Sequence, residues 1–216
     1  PVAKRLVNWM GIYFRQCYRS PFYSMLFLGT AMTQVSTVCR SVFNLLFATR
    51  ELHLTEAQFG RIMGIGSLVS LGVILLMGYL MDKLHPLRVF LWSGVLVILI
   101  NVWGYFHVTD YATFFAVGIV IVIVYSVQTL SSVPMYIALF PPEKYGQFSS
   151  ANAMVNSVLV IVANWGGGLA IDRFGYRFIF VWDFIFTVIA TAVLIYVYVK
   201  WKQLGGMNHY KAPEVE

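Results

Sequence analysis

Apolar residues dominate six long segments of this chain, and short polar or charged stretches separate them. The segments cover roughly residues 22–48, 56–81, 86–106, 111–139, 145–171 and 176–199. Each is long enough to cross the hydrocarbon core of a bilayer as a helix, which needs about 20 residues. The strict apolar and polar alternation of an outer-membrane barrel is missing. The pattern therefore predicts an all-α integral membrane bundle of six helices.

Local signals indicate where several of these helices begin. Ser20 and Pro21 suit the N-cap and the first helical position of the first span. Thr55 and Gln58 form a capping-box pattern ahead of the second span. Pro134 lies late in the fourth span, and because proline removes an intrahelical hydrogen bond, it predicts a kink or an early end there.

Cations and apolar residues recur at helical spacing before the first span, over residues 2–19. The basic positions are Lys4, Arg5, Arg15 and Arg19, set among Leu6, Met10, Tyr13, Phe14 and Cys17. This pattern predicts an amphipathic helix lying in the membrane interface. We therefore divide the chain into a cytoplasmic linker helix (1–20), a six-helix bundle (21–202) and a cytoplasmic tail (203–216).

Composition agrees with a membrane protein. The chain is 59% hydrophobic and 11% charged, whereas soluble domains carry about 25% charged residues. The net charge of +6 would suggest a nucleic-acid partner in a soluble protein, but here the cations gather at the span ends, where they orient the helices in the bilayer. Cys17 and Cys39 provide neither a disulfide framework nor a metal site, and we expect no cofactor. The first residue, Pro1, indicates a piece of a longer chain or a processed one.

The distribution of Lys and Arg predicts the orientation, because cytoplasmic loops carry an excess of both. The side that holds the N-terminus has Lys4, Arg5, Arg15, Arg19, Lys83, Arg88, Lys144, Lys200, Lys202 and Lys211, and the other side has Arg50, Arg61, Arg173 and Arg177. This asymmetry predicts a multi-pass protein of a plasma or inner membrane with both termini in the cytoplasm.

A charged break between spans occurs twice. Gly78 to Arg88 separates the second and third spans, and a similar stretch from Gly168 to Arg177 separates the fifth and sixth. Each has a small residue four positions before an Asp and a cation directly after it, and the two Asp residues are ninety positions apart. Because three spans is an odd number, the second copy must be inverted in the membrane. The sequence therefore predicts a three-plus-three inverted repeat.

The charged breaks resemble the loop signature of the major facilitator superfamily. The matching positions are Gly78, Asp82, Lys83 and Arg88 in the first copy and Asp172, Arg173, Gly175 and Arg177 in the second. In the first copy His85 stands where the family favours glycine, so that copy is weakened. The resemblance implies that these residues gate the carrier, that this chain is the C-terminal six-helix half, and that a second six-helix half completes the transporter.

Polar residues gather on a few of the spans. In the first span, Thr30, Thr33, Thr37, Arg40 and Asn44 follow one helix face, with Gln34 beside them. Since polar faces in a bilayer turn to protein or to a water-filled path, the first and fourth spans are expected to line a cavity and the third and sixth to face lipid. The candidate substrate-pathway residues are Gln34, Thr37, Arg40, Asn44, Tyr125, Gln128, Asn152 and Asn156.

Arg40 is the most informative of these residues. An unpaired cation inside a span costs at least about 2.5 kcal/mol, so Arg40 needs a partner. Asp183 lies at a similar depth in the sixth span, by helical rise from the span ends. Three alternatives stay open: an ion pair with Asp183, binding of a solute anion or hydroxyl, and both in alternation.

These features favour alternating-access secondary transport of a small polar organic solute, by symport or uniport. Hydroxyl and amide side chains slightly favour a sugar or glycoside over an organic anion. The alternative is a six-helix channel or membrane scaffold, although the sequence has no carbonyl filter motif and no arginine ladder. An intramembrane enzyme is disfavoured, because His-Glu-x-x-His and Gly-x-Ser-x-Gly are absent.

Overall fold

A computed structural model describes the backbone of residues 2–213 and the side chains from residue 9 onward. The predicted basic positions Lys4 and Arg5, together with Leu6, lie outside the described side chains, and residues 1 and 214–216 lie outside the structure's description. The described residues form α1 (Val2–Tyr18), α2 (Pro21–Leu46), α3 (Glu56–Leu84), α4 (Pro86–His107), α5 (Tyr111–Leu139), α6 (Tyr145–Phe174), α7 (Phe178–Gln203) and α8 (Gly206–His209).

The all-α membrane fold is confirmed. Every regular element in residues 2–213 is helical, and five helices, α3 to α7, are long and apolar enough to cross a membrane. Helix α2 is not among the five, although its 26 residues would span about 39 Å at 1.5 Å per residue. Its polar residues lower its mean hydropathy, and the helix packs on α6 and α7.

Helix starts follow the local signals in part. The Thr55 hydroxyl accepts from the Gln58 backbone N–H at 3.2 Å, which completes the capping box of α3. Ser20 occupies the N-cap position of α2, but its side chain forms no capping hydrogen bond. Helix α5 continues through Pro134 to Leu139, so it does not end early.

The six long helices pack in a pattern that is unchanged when the first three are exchanged for the last three. Helix α2 packs on α6 and α7, α5 packs on α3 and α4, and α4 packs on α7. Replacing α2, α3 and α4 by α5, α6 and α7, and the reverse, regenerates the same five contacts. The main packing contacts thus join the first three of these helices to the last three.

Two clusters of buried apolar side chains fill the two ends of the bundle. The terminal cluster joins the starts of α2 and α4 to the end of α7 and includes Phe22, Leu87 and Trp201. The distal cluster joins the end of α2 to the end of α6 and the start of α7, and it includes Phe47 and Ile171. Both ends are therefore packed, and the two charged breaks flank different clusters.

Asp82 and Asp172 consequently lie at opposite ends of the bundle. Asp82 ends α3 beside the terminal cluster, whereas Asp172 directly follows Ile171 of the distal cluster. The inverted three-helix repeat itself stays a prediction.

Helix α1 and the C-terminal segment both dock at the terminal end. The Tyr18 hydroxyl donates to the Ala151 carbonyl at 2.9 Å, and the Tyr13 hydroxyl donates to the Gln147 carbonyl at 3.1 Å. Burial raises the pKa of Tyr18. The Tyr210 hydroxyl donates to the Leu139 carbonyl at 2.8 Å. The linker helix therefore contacts the start of α6, and its location in the membrane interface stays a prediction.

The exposed faces differ from the expected ones. In α4 and α7, 39% of the most apolar stretch is buried, because these two helices pack on each other. The corresponding share is 17% for α3 and for the segment containing α6. The third and sixth spans thus expose one face each, while the second and fifth are the most exposed helices of the bundle.

Candidate functional site

A cavity of about 630 Å³ lies between α2, α3 and α5. It is lined by Thr37, Arg40, Ser41 and Asn44 of α2, by Phe59, Met63 and Ile74 of α3, and by Ile121, Val122, Tyr125, Ser126, Thr129 and Leu130 of α5. Its volume falls within the range of about 300–1,000 Å³ that small-molecule sites occupy. The cavity is the candidate solute site of this chain.

The walls of the cavity differ in chemistry. Helix α2 contributes hydroxyl, guanidinium and amide groups, because its polar residues recur every three or four positions and share one face. Helix α3 contributes only Phe59, Met63 and Ile74. Helix α5 combines apolar side chains with Tyr125, Ser126 and Thr129. A solute in this space contacts a polar wall on one side and an apolar wall on another.

Arg40 and Asp183 form a buried ion pair beside the cavity. Arg40 Nε lies 2.6 Å from Asp183 Oδ2, and the two side chains are 5% and 0% exposed. A second guanidinium nitrogen of Arg40 donates to the Asn101 side-chain carbonyl. The Arg40 guanidinium also lies 4.8 Å from the centre of the Phe180 ring, where cation–π attraction stabilises it.

Three hydroxyl groups complete the surroundings of the Asp183 carboxylate. The Tyr125 hydroxyl donates to Oδ2 at 2.7 Å, and the Thr187 hydroxyl donates to Oδ1 at 3.1 Å. The Ser36 hydroxyl donates to Oδ1 as well. This set, the Asp183 network, joins α2, α4, α5 and α7. Because the Asp183 carboxylate accepts from Arg40 and from three hydroxyl groups, its buried charge is compensated, which is the condition for tolerating it in an apolar interior.

Asn44 lies one helical turn beyond Arg40 and has no such partners. Its side chain is 7% exposed and lines the cavity. Its Oδ1 atom is buried without a hydrogen bond, and its Nδ2 atom donates to no group in the described part of the chain. An unpartnered amide in this position is costly, since buried polar groups are nearly always hydrogen-bonded.

The other predicted pathway residues lie elsewhere. Gln34 is exposed, and Gln128 is buried outside the cavity lining. Asn152 Oδ1 accepts from the Thr30 hydroxyl at 2.9 Å, which links α6 to α2. Asn156 is half-buried, and its Oδ1 has no hydrogen-bond partner within the described residues. Of the eight candidates, the cavity brings together Thr37, Arg40, Asn44 and Tyr125.

Sequence reasoning missed two groups of residues. The apolar wall from α3 gave no signal, because an apolar side chain in a span contacts lipid as readily as it lines a cavity. Ser36 was also missed as a partner of Asp183. The spacing of Ser36 and Arg40, four positions apart on α2, could have indicated that both face the same neighbour.

The charged breaks share one backbone feature. His85 has a φ of 70° and Gly175 a φ of 85°, and each lies three positions after its Asp. The His85 N–H donates to the Met81 carbonyl and the Gly175 N–H to the Ile171 carbonyl, so α3 and α6 end in the same way. A histidine in the first copy therefore adopts a conformation that favours glycine.

The charged side chains of the breaks are less alike. Asp82 and Asp172 are exposed, and neither forms an ion pair or a hydrogen bond with any described residue. Arg88 lies 5.7 Å from the Trp201 ring centre, and its buried Nε has no acceptor among the described residues. Arg177 Nε donates to the Tyr105 carbonyl at 2.8 Å.

Three residues of the breaks lie at the surface and form no ion pair with a described residue. Gly78 has open space where a Cβ would be, and Arg173 is exposed. Lys83 Nζ lies 4.4 Å from the centre of the Tyr79 ring. At the same end, burial lowers the pKa of His85, and the nearby Arg88 cation lowers it further.

Comparison with known proteins identifies the family. The model of the Major Facilitator Superfamily matches residues 26–206, which covers most of the chain and all of the six long helices except the first turn of α2. No curated protein and no solved structure matches the chain significantly. The chain therefore belongs to the major facilitator superfamily, whose members transport small solutes across membranes.

Proposed function

We propose that this chain is one six-helix half of a secondary carrier that moves a small polar organic solute by alternating access. The observation that carries the proposal is the cavity of about 630 Å³, which has a polar wall on α2 and lies between α2, α3 and α5 of a multi-pass membrane bundle. Alternating access requires one bundle to rock against another around a central site. A second six-helix half, from the same longer chain or from another copy, is therefore the proposed partner.

The internal exchange of helices supports the inverted repeat. The packing contacts are the same when α2, α3 and α4 are exchanged for α5, α6 and α7. The positive φ at His85 and at Gly175 ends α3 and α6 alike. We infer that the two three-helix units are oppositely oriented copies, that the domain limits are 1–20, 21–202 and 203–216, and that both termini lie in the cytoplasm.

The charged breaks are the proposed gates. Their carboxylates, Asp82 and Asp172, are exposed and form no ion pair among the described side chains, residues 9–213, so the proposed latch at either end takes its cation from outside the six helices. The second half is the proposed source of that cation. In this proposal Lys83 and Arg88 in one loop, and Arg173 and Arg177 in the other, pair with carboxylates of the second half, and Gly78 and Gly175 permit close approach.

A sugar or glycoside is the proposed solute rather than an organic anion. Arg40 is the residue that would attract an anion, and its charge is balanced by Asp183 at 2.6 Å. The remaining polar groups of the lining, such as Ser41, Asn44 and Thr129, are neutral hydrogen-bonding groups. Such groups fix hydroxylated solutes by direction rather than by charge.

Reconstitution of the purified protein into liposomes tests the proposed carrier function. We expect the purified protein in liposomes to catalyse saturable counterflow, in which unlabelled internal solute drives uptake of labelled solute. A channel would instead pass an ohmic current without counterflow, and a scaffold would show neither. Weighing the detergent-solubilised particle tests the partner, because a lone six-helix monomer that still catalyses counterflow would contradict the two-half mechanism.

A further inference from the structure

The amide of Asn44 is left without a partner where the cavity is most polar. It is more than nine-tenths buried, it lines the cavity, and neither of its polar atoms forms a hydrogen bond with a described residue. Turning the amide over changes only which atom donates and which accepts. Because Oδ1 is enclosed, the solute meets whichever amide atom is turned towards the cavity, and a hydroxyl or an amide group can pair with either one.

The charge of the same wall is already compensated. Arg40 is the charged residue of the lining, and its guanidinium binds Asp183 and the side chain of Asn101. A carboxylate in the cavity would compete with Asp183 for a guanidinium that two neighbours hold in place. It would also leave the Asn44 carbonyl oxygen unpaired, because an ionised carboxylate has no proton to donate.

The opposite wall suits an apolar body. Phe59, Met63 and Ile74 of α3 face the α2 groups across the cavity, and Ile121 of α5 extends this surface. Hydroxyl groups placed against it would lose their water without gaining hydrogen bonds. The preferred solute thus carries its polar groups on one edge only.

We propose that Asn44 determines the specificity of this carrier, and that it selects an uncharged solute whose hydroxyl or amide groups lie beside an apolar ring or chain. The inference deepens the carrier function proposed above and rests on it. Aryl or alkyl glycosides have this chemistry, whereas free sugars lack the apolar body and sugar acids carry the wrong charge.

Equilibrium binding to the purified chain in lipid nanodiscs tests the inference with three probes: phenyl β-glucoside, phenyl β-glucuronide and glucose. The glucuronide keeps the ring and adds a carboxylate, and glucose removes the ring. We expect phenyl glucoside to bind at least about tenfold more tightly than either of the other two, which corresponds to one good hydrogen bond or its equivalent.

Substitution of the amide gives the second readout. Asn44→Leu keeps a side chain of similar size and should weaken phenyl glucoside binding at least about tenfold. Asn164→Leu is the matched control, because Asn164 is an exposed amide of α6 outside the cavity lining, and it should leave the affinity unchanged. Circular dichroism of each variant verifies that the helices are retained.

Three results would overturn the inference: glucuronide binding as tight as glucoside binding, unchanged affinity in Asn44→Leu, or no binding of any probe. Counterflow measurements distinguish a failure of the proposed specificity from a failure of the proposed carrier function. Saturable counterflow of an anion such as phenyl glucuronide would keep the carrier and reject the specificity. Selective glucoside binding without counterflow would keep the specificity and reject the carrier.

Discussion

Two neighbouring regions of α2 both carry buried polar side chains, but these side chains differ in whether they have partners. Around Arg40, the donors and acceptors of the Asp183 network meet one another across four helices. Around Asn44, one turn away, a buried amide meets none. The difference shows that the polar residues on one face of a membrane helix can have two roles. Compensated groups hold helices together, while an uncompensated group at a cavity is available to a solute.

The largest effect expected from this comparison follows removal of the Asp183 carboxylate. Asp183→Ala leaves Arg40 as an unpaired buried cation, so we expect the free energy of unfolding to fall by about 3–5 kcal/mol. Denaturant titration in detergent micelles measures it. Asp172→Ala removes an exposed carboxylate without partners and should change the same quantity by less than about 0.5 kcal/mol. If Asp183→Ala lowers the free energy of unfolding no more than Asp172→Ala does, the Asp183 network does not stabilise the bundle.

Asn101 and Asn44 provide the next test, because the amide of Asn101 is hydrogen-bonded and that of Asn44 is not bonded to any described residue. Asn101 accepts from Arg40, and its Nδ2 donates to the Val97 carbonyl at 2.9 Å. Asn101→Leu should therefore destabilise the bundle by about 1–3 kcal/mol. Asn44→Leu removes an amide that has no partner and should raise the free energy of unfolding by about 1 kcal/mol. If both changes are destabilising to the same degree, the amide of Asn44 has a partner in the folded protein.

A threonine pair repeats the comparison at smaller scale. The Thr187 hydroxyl bonds to Asp183 and to Ser36, whereas the Thr37 hydroxyl bonds only to the Thr33 carbonyl of its own helix. We expect Thr187→Val to lower the free energy of unfolding by about 1 kcal/mol and Thr37→Val to change it by less than about 0.5 kcal/mol. The same denaturant titration measures both, and a larger loss for Thr37→Val would contradict the assignment.

The smallest expected effect concerns His85, whose protonated form has no carboxylate partner among the described residues. Burial and Arg88 lower the pKa of His85, so the folded state binds the proton less readily than the unfolded state. The unfolding free energy is therefore expected to be constant at higher pH and to fall as the pH drops below about 6.5, the ordinary histidine pKa, until the lowered pKa is passed. His85→Gln should remove this pH dependence, and its persistence in that variant would assign it to another group.

Much of the fold followed from periodicity, and much of the site did not. Long apolar segments predict α3 to α7 to within a few residues, and a capping box marks the start of α3, because these signals are local. The spacing of Arg40 and Asn44 fixes a shared helix face, but not which neighbours meet that face. Whether an amide is compensated depends on distant residues such as Asn101, and a single helix pattern holds no information about them.

The apolar side of the cavity illustrates the same limit. Phe59 and Met63 of α3 look like lipid-facing residues in the sequence, and only the gap between α2 and α3 turns them into a cavity wall. The charged breaks are the converse case. Their repeat was visible in the sequence, but the positive φ of His85 was not, because histidine rarely adopts that conformation.

In our proposal, Arg40 is held in the Asp183 network while the amide of Asn44 stays free to bind a solute. Thermal unfolding of the purified chain, with and without phenyl β-glucoside, is the most direct test of this difference. In the unsubstituted protein the glucoside should raise the melting temperature, because it binds only the folded state. Asn44→Leu should melt no lower than the unsubstituted protein and should show no rise with glucoside. An Asn44→Leu variant that melts lower, or that is stabilised as strongly by the glucoside, would contradict the account.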